Sequence, residues 1–243
     1  MEENNAIEVS IVLPAYNEAD QIEEAVEKTI DFLKGIASTY EIIIAEDGST
    51  DGTDKIASIL SKKYPFVDHF HSDQRLGRGR ALRNAFENSR GKILAYMDVD
   101  LSTDIKHLTK LIDLIRGGYD IVTGSRMLPE SKVERPFSRK ITSSVYNFIV
   151  RFLFKTDIRD HQCGFKSFKR KPLLDLLNEV SASHWFWDTE ILIRASRKKY
   201  RIKEIPIEWK YRKKTKVNLL TDTIKMFIEI LKLWWKIKFV REN

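Results

Sequence analysis

Short apolar runs alternate along the chain with stretches of helical spacing. Val9, Ile11, Val12 and Leu13 form a run over residues 8–14 that closes at a proline, the pattern of a short buried strand. Ile22, Val26, Ile30 and Leu33 then recur every three or four residues, which predicts a helix over 18–34. The same reading places strands over 40–45, 67–71, 92–97 and 120–123, and helices over 54–63, 76–88 and 105–116. Strands alternating with helices predict an α/β fold, a mostly parallel sheet flanked by helices. Ligands of such sheets gather at the carboxyl ends of the strands. Tyr16-Asn17-Glu18, Glu46-Asp47-Gly48-Ser49 and Asp98-Val99-Asp100 all fall there.

The alternation breaks after Arg126. A helix over 139–154 carries Ile141, Val145, Phe148 and Phe152 on one stripe, with Tyr146, Val150 and Phe154 opposite. Being apolar nearly all round, it must be buried in protein or lipid. Helices over 171–178 and 188–199 and a strand over 201–208 follow. In the last helix, 219–240, Leu220, Ile224, Phe227, Leu231 and Trp234 keep four-three-four-three spacing, against Lys225, Glu229, Lys232 and Lys236. With Trp235 this reads as a basic amphipathic helix lying in a lipid interface. Packing on the sheet, or a coiled-coil seam, is the alternative.

Composition narrows the partners. The 243 residues are 42% hydrophobic and 32% charged, ordinary for a packed domain. No uncharged apolar run approaches the roughly 18 residues of a spanning helix, and the acidic, polar start MEENNAIEVS does not resemble a signal peptide. The single cysteine, Cys163, suits a reducing compartment. A net charge of +7, with Lys and Arg crowded into 132–170 and 194–241, favours anionic partners: phosphates or a membrane surface. The expected location is cytoplasmic, peripherally associated with the membrane. No recognised nucleic-acid motif is present, so no nucleic acid is expected.

Asp98 and Asp100, two apart beyond a buried strand, are placed to turn toward one ligand, and paired carboxylates suit Mg²⁺ or Mn²⁺ bridging to phosphates. Ordinary helix capping at Ser102 or Thr103 is the bland alternative. In the loop 46–53 the glycines permit close approach to a ligand, and Asp47 can accept hydrogen bonds from a base or ribose; Asp51 or Thr53 capping accounts for part of it. Leu76-Gly77-Arg78-Gly79-Arg80 fails as a dinucleotide signature but fits a basic lip on a nucleotide cleft.

Pro14-Ala15-Tyr16-Asn17-Glu18, the 46–53 loop, Asp98-Val99-Asp100 and Gly124-Ser125-Arg126 together resemble the family 2 glycosyltransferases of GT-A (Rossmann-like) fold. Gln162-Cys163-Gly164-Phe165-Lys166 and Trp187-Asp188-Thr189-Glu190 are similar to the dolichyl-phosphate glucose and mannose synthases, which act in protein glycosylation. The resemblance covers about residues 8–217 and implies a GT-A domain over 1–217. Its nucleotide-binding half would run over about 8–126 and its acceptor-side half over 127–217, with an amphipathic helix at 218–243. It implies that Pro14, Tyr16, Glu18, Ala45 and Asp47 hold the nucleoside, and that Asp98, Val99 and Asp100 hold the diphosphate, both aspartates on the metal. Arg126 would meet donor or acceptor phosphate, Arg139 and Ser143 the acceptor phosphate, and Lys210 and Lys216 would belong to a loop closing over the nucleotide. Two positions depart from the pattern: Ser102 stands where mannose synthases often carry glutamine, and Lys213 replaces the closing loop's glycine.

The implied reaction is inverting transfer of a hexose from UDP-glucose or GDP-mannose to a polyprenyl or dolichyl phosphate at the cytoplasmic membrane face, with a membrane partner subunit or oligomer possible. A phosphate acceptor is mostly dianionic at neutral pH and needs no general base. A soluble enzyme with a saccharide hydroxyl acceptor would need one, and Asp188 or Glu190 is the candidate; helix capping is their bland reading. A third reading is a binding module for acidic membranes or nucleic acid, with a vestigial cleft.

Overall fold

A computed structural model describes residues 6–212 and 219–239. The chain runs β1 (Val9–Ala15), α1 (Ile22–Leu33), β2 (Tyr40–Glu46), α2 (Thr53–Lys63), β3 (Val67–Phe70), α3 (Arg78–Asn88), β4 (Ile93–Met97), α4 (His107–Arg116) and β5 (Ile121–Ser125). It continues with β6 (Lys132–Glu134), α5 (Phe137–Phe154), β7 (Phe165–Lys169), α6 (Arg170–Leu177), α7 (Trp187–Arg197), β8 (Ile202–Pro206), β9 (Glu208–Lys210) and α8 (Leu219–Phe239). The main sheet has seven strands in the order β3-β2-β1-β4-β7-β5-β8. Every neighbouring pair is parallel except those of β7, which is antiparallel to both β4 and β5.

The alternation of side chains along β1 explains the two-faced core. Val9, Ile11 and Leu13 pack toward α1, α2 and α4, while Val12 faces α3, α6 and α7. Each fully buried aliphatic side chain of this kind contributes about 1.5–3 kcal/mol.

Three elements, β6, β7 and the strand expected over 201–208, differ from the sequence expectation. β7 stands where only a motif was read, because its centre carries Lys166 and Ser167, both fully buried. The strand expected over 201–208 is divided. It ends in the main sheet at Pro206, and β9 leaves to pair with β6 in a separate two-stranded ribbon.

The apolar face of α8 is also displaced from the expected stripe. Ile230 and Leu233 are buried, and with Met226, Phe227 and Ile237 they pack on Tyr146 and Val150 of α5 and on Phe186 and Ile193. Packing on protein therefore accounts for one side of the helix. Ile228, Leu231, Trp235 and Phe239 remain exposed on the other. In α5 the expected stripe is the outer one: Phe148 is 67% and Phe152 73% exposed, beside exposed Ile141 and Val145. Among the described residues no helix is long and apolar enough to cross a membrane.

Candidate active site

The carboxyl ends of β1, β2, β4 and β5 open into one cleft of about 320 Å³, closed on its far side by α5. Pro14, Tyr16, Glu18, Ala45, Asp47, Asp98, Val99, Asp100, Arg126, Arg139 and Ser143 all line it. Residues singled out from segments far apart in sequence are thus brought to a single cavity by the parallel strand order.

Asp47 sits at the start of the loop after β2. Its carboxylate accepts backbone N–H bonds from Leu76 at 2.7 Å and Gly77 at 3.0 Å, which ties the Leu76-Gly77-Arg78 segment to the cleft wall. Burial pushes the Asp47 carboxyl up, while those two amides pull it down. Gly77 has φ 100°, and a Cβ there would meet Ser183 O at 2.4 Å, so the tight turn needs glycine. Neither Asp51 nor Thr53 is the N-cap of α2, which is Gly52; Asp51, one residue earlier, ties down the start of the helix by accepting from Thr53 N–H at 3.1 Å and Thr53 Oγ1 at 2.6 Å.

Asp98 and Asp100 stand at the end of β4. Asp98 Oδ1 accepts from Arg78 Nη2 at 2.7 Å, and the side chain is 44% open toward the cleft. Withdrawal from bulk water lifts the Asp98 carboxyl above its ordinary range; Arg78 opposes this and Asp100 adds to it. Asp100 is oriented by Ser102, whose N–H and Oγ donate to its two oxygens at 2.9 and 2.7 Å. Between them Leu101 adopts a left-handed backbone, φ 49°, a conformation costly for a residue with a Cβ. Gly164 makes room for Asp98, since a Cβ at Gly164 would overlap its carboxylate. Two hard oxygen donors in one cleft, one of them raised by desolvation and by its neighbour's charge, fit a hard divalent cation.

The far wall is cationic. Arg126 grips fully buried Asp160 bidentately, Nε to Oδ2 at 2.7 Å and Nη2 to Oδ1 at 2.9 Å. Arg135 donates to Ser143 Oγ at 2.8 Å, and the Arg139 guanidinium lies 4.7 Å from the Tyr211 ring centre. Burial and the nearby Arg126 charge hold Arg135 below the usual arginine range.

Four expected site residues, Asp188, Glu190, Lys210 and Lys216, are not brought to the cleft or are not described. Asp188 is buried behind the wall: Oδ1 accepts from Lys166 Nζ at 2.7 Å and from the Tyr96 hydroxyl, and Oδ2 from Arg78 Nη1 at 2.6 Å. Burial raises the Asp188 carboxyl, but Lys166 and Arg78 outweigh it and hold it below its ordinary range. Glu190 is spent on the Ser181 and Ala182 amides and on Arg194. Neither is a helix cap, because α7 begins at Trp187 with Phe186 at its N-cap. Lys210 lies in β9, 73% exposed and 3.6 Å from Glu134, and Lys216 falls outside the described residues.

Arg75, Arg135, Gln162, His184, Trp185 and Trp209 also line the cleft without having been assigned a role from sequence. Arg75 stacks on Tyr16, 3.9 Å from the ring centre. Arg135 belonged to a basic stretch that was legible only as charge, Arg75 lay outside both such stretches, and Trp209 enters because β9 leaves the main sheet.

Residues 10–177 match the model of glycosyl transferase family 2. The chain is 47% identical over 234 residues to glycosyltransferase AglD of Haloferax volcanii, covering 95% of this chain and 38% of that one. It is 31% identical over 264 residues to a dolichyl-phosphate beta-glucosyltransferase of Saccharomyces cerevisiae, covering 100% of this chain and 79% of the other. The chain thus spans well under half of the archaeal relative and most of the yeast one. Its fold is similar to glucosyl-3-phosphoglycerate synthase from Mycobacterium tuberculosis, solved with Mn²⁺ and UDP. The TM-score is 0.71 at 20% identity, over 94% of this chain and 80% of that one.

Proposed function

The chain belongs to glycosyl transferase family 2, and on that premise we propose that it transfers a hexose from UDP-glucose or GDP-mannose to a polyprenyl or dolichyl phosphate, with inversion at the anomeric carbon. One observation carries the reading. A single cleft holds two carboxylates at one wall and Arg126, Arg135 and Arg139 at the other, and the helix that closes it, α5, turns an exposed apolar stripe outward.

Residues 8–126 form the donor half in this proposal and 127–217 the acceptor half, with 218–243 as the appended helix. Pro14, Tyr16, Glu18, Ala45 and Asp47 hold the nucleoside, and Val99 lies along the diphosphate. Asp98 and Asp100 would hold Mg²⁺ or Mn²⁺, which neutralises charge on the leaving diphosphate. Arg126 holds donor or acceptor phosphate; Arg139 and Ser143 bind the acceptor phosphate, and Arg135 completes that cationic wall. A phosphate-monoester oxygen then attacks the anomeric carbon from the face opposite the leaving group. The new carbon–oxygen bond forms as the bond to the nucleoside diphosphate breaks. The guanidinium groups offset the repulsion of two anions brought together in a poorly solvated site.

A hydroxyl acceptor would require a base facing the anomeric carbon. Asp188 is engaged by Lys166, Tyr96 and Arg78 and does not line the cleft, which favours the phosphate acceptor. Asp188 is then a positioning residue that aims Arg78 at Asp98. The exposed apolar stripes of α5 and α8, with Lys140, Arg151 and Lys238 on the same helices, support peripheral attachment to an anionic cytoplasmic membrane face. Lys210 and Lys216 remain proposed members of a segment closing over the donor.

The test is transfer from labelled UDP-glucose or GDP-mannose to dolichyl phosphate with Mg²⁺ or Mn²⁺. Label in the organic phase is expected. Label only on water-soluble sugars would favour the hydroxyl acceptor, and no transfer from any donor would favour a non-catalytic binding module.

A further inference from the structure

Glu46, His69 and His71 meet on the outer edge of the sheet, apart from the Asp98 and Asp100 carboxylates. Glu46 ends β2, His69 lies in β3, and His71 follows one residue beyond that strand. β2 and β3 are parallel with Ile44 opposite His69. His71 and Glu46, each two residues further on, therefore project from the same face as His69. One possible ligand atom from each side chain lies within 4.8 Å of the other two.

The donor set is distinct from that of the cleft. Two imidazoles and one carboxylate suit Zn²⁺ or a neighbouring transition metal, whereas Mg²⁺ prefers oxygen alone. His69 Nε2 is buried without a hydrogen-bond partner, a costly state for a polar atom unless a ligand satisfies it. His71 Nδ1 is 2.5 Å from Glu46 Oε2, and its Nε2 is 3.3 Å from Asp73 Oδ1. A carboxylate on the second ring nitrogen is the arrangement that orients a metal-bound histidine. The Glu46 side chain is fully buried while His71 is 45% exposed, so an ion would enter from the His71 side. Zinc–nitrogen bonds of about 2.1 Å place tetrahedral ligands roughly 3.4 Å apart, so an entering ion would open the 2.5 Å His71–Glu46 contact, a movement that rotation of the exposed His71 ring can supply.

We infer that Glu46, His69 and His71 form a zinc-class metal site separate from the cation site of the cleft. The site touches the cleft through two hydrogen bonds. Glu46 Oε1 accepts the Ser49 N–H at 2.5 Å, and Ser49 Oγ accepts the Asn17 N–H at 2.9 Å, next to Tyr16. An ion drawing on Glu46 would therefore act on the segment that carries Tyr16 and Glu18, which the proposed function assigns to the nucleoside.

Zinc titration of the chelator-stripped full chain, in millimolar Mg²⁺ and against a competing chromophoric chelator, tests the site. One equivalent is expected in the unaltered chain and in Asp100→Ala, with binding at least tenfold weaker in His69→Ala and in His71→Ala. X-ray absorption of the loaded protein should show two imidazole ligands. Equal affinity in the His71→Ala protein, loss of zinc in Asp100→Ala, or a spectrum without paired imidazoles would each overturn the inference. His71 is exposed enough for its variant to fold, which circular dichroism checks if His69→Ala does not. The readout uses neither donor nor acceptor, so its failure is separate from failure of the transfer assay.

Discussion

The Arg126 guanidinium is locked to the Asp160 carboxylate by two parallel hydrogen bonds, and the Arg126 backbone N–H adds a third at 2.9 Å. Burial alone would raise Asp160, but the charge and hydrogen bonds of Arg126 bring it down to about 2. The pair fixes the arginine's direction in the cleft wall before any ligand arrives.

Asp160→Asn should therefore cost about 3–5 kcal/mol, because it leaves a buried cation without its counter-charge. The sign of the acid dependence follows from the depressed carboxyl. Its stabilisation is complete above the unfolded value of about 3.9 and is lost as pH falls through about 2. That stabilisation is worth about 2–3 kcal/mol. Urea midpoints at pH 7 measure the cost, and the slope between pH 4 and 2 should flatten in the variant.

Burial pushes His161 down to about 3 from an ordinary 6.5. The unfolded chain then binds a proton that the folded chain refuses, so stability falls as pH drops from 6.5 toward 3. The expected slope is about 1.4 kcal/mol per pH unit. Replacing this residue in His161→Gln should remove most of that slope between pH 6.5 and 5 in urea unfolding; an unchanged slope would assign the acid sensitivity elsewhere.

Asp100→Ala should abolish the metal dependence of donor binding, with a loss of about a hundredfold in affinity for UDP-glucose or GDP-mannose by calorimetry in Mn²⁺. Gly164→Ala reaches the same end by crowding, since its Cβ would collide with the Asp98 carboxylate. Both variants should remain folded by circular dichroism while losing transfer. Normal metal-dependent binding in either would remove the cation from these aspartates.

Phe148→Glu with Phe152→Glu places two charges on the exposed stripe of α5 without touching its buried side. Binding to anionic liposomes should fall at least tenfold, with donor binding unchanged. Deleting α8 is the poorer test, because Ile230 and Leu233 would leave Tyr146 and Val150 uncovered. Undiminished flotation of the double variant would disprove attachment through α5.

Of the first five strands, β1, β2, β4 and β5 were legible because buried parallel strands read as apolar runs, and the loops at their ends carried the polar residues of the cleft; edge strand β3, with only Val67 buried, was bounded by its neighbouring helices. β7 was not legible, because Lys166 is buried with its charge balanced by Asp188, a partner 22 residues away that periodicity cannot reveal. Arg78 is similar: its contacts with Asp98 and Asp188 span 20 and 110 positions. The orientation of α8 was hidden for another reason. Both of its sides are apolar, so spacing alone could not decide which would meet α5.

The antiparallel β7 also constrains the order of assembly. β4 and β5 are not neighbours; each pairs with β7, which emerges some forty residues after β5. A nascent chain that has left the ribosome only as far as Ser125 has a gap in mid-sheet that nothing yet made can fill. Such long-range closure slows folding. Translation must run through Lys169 before the scaffold beneath the cleft can lock, and a split-protein pair cut in the β5–β6 connection should recover its fold only when both pieces are present together.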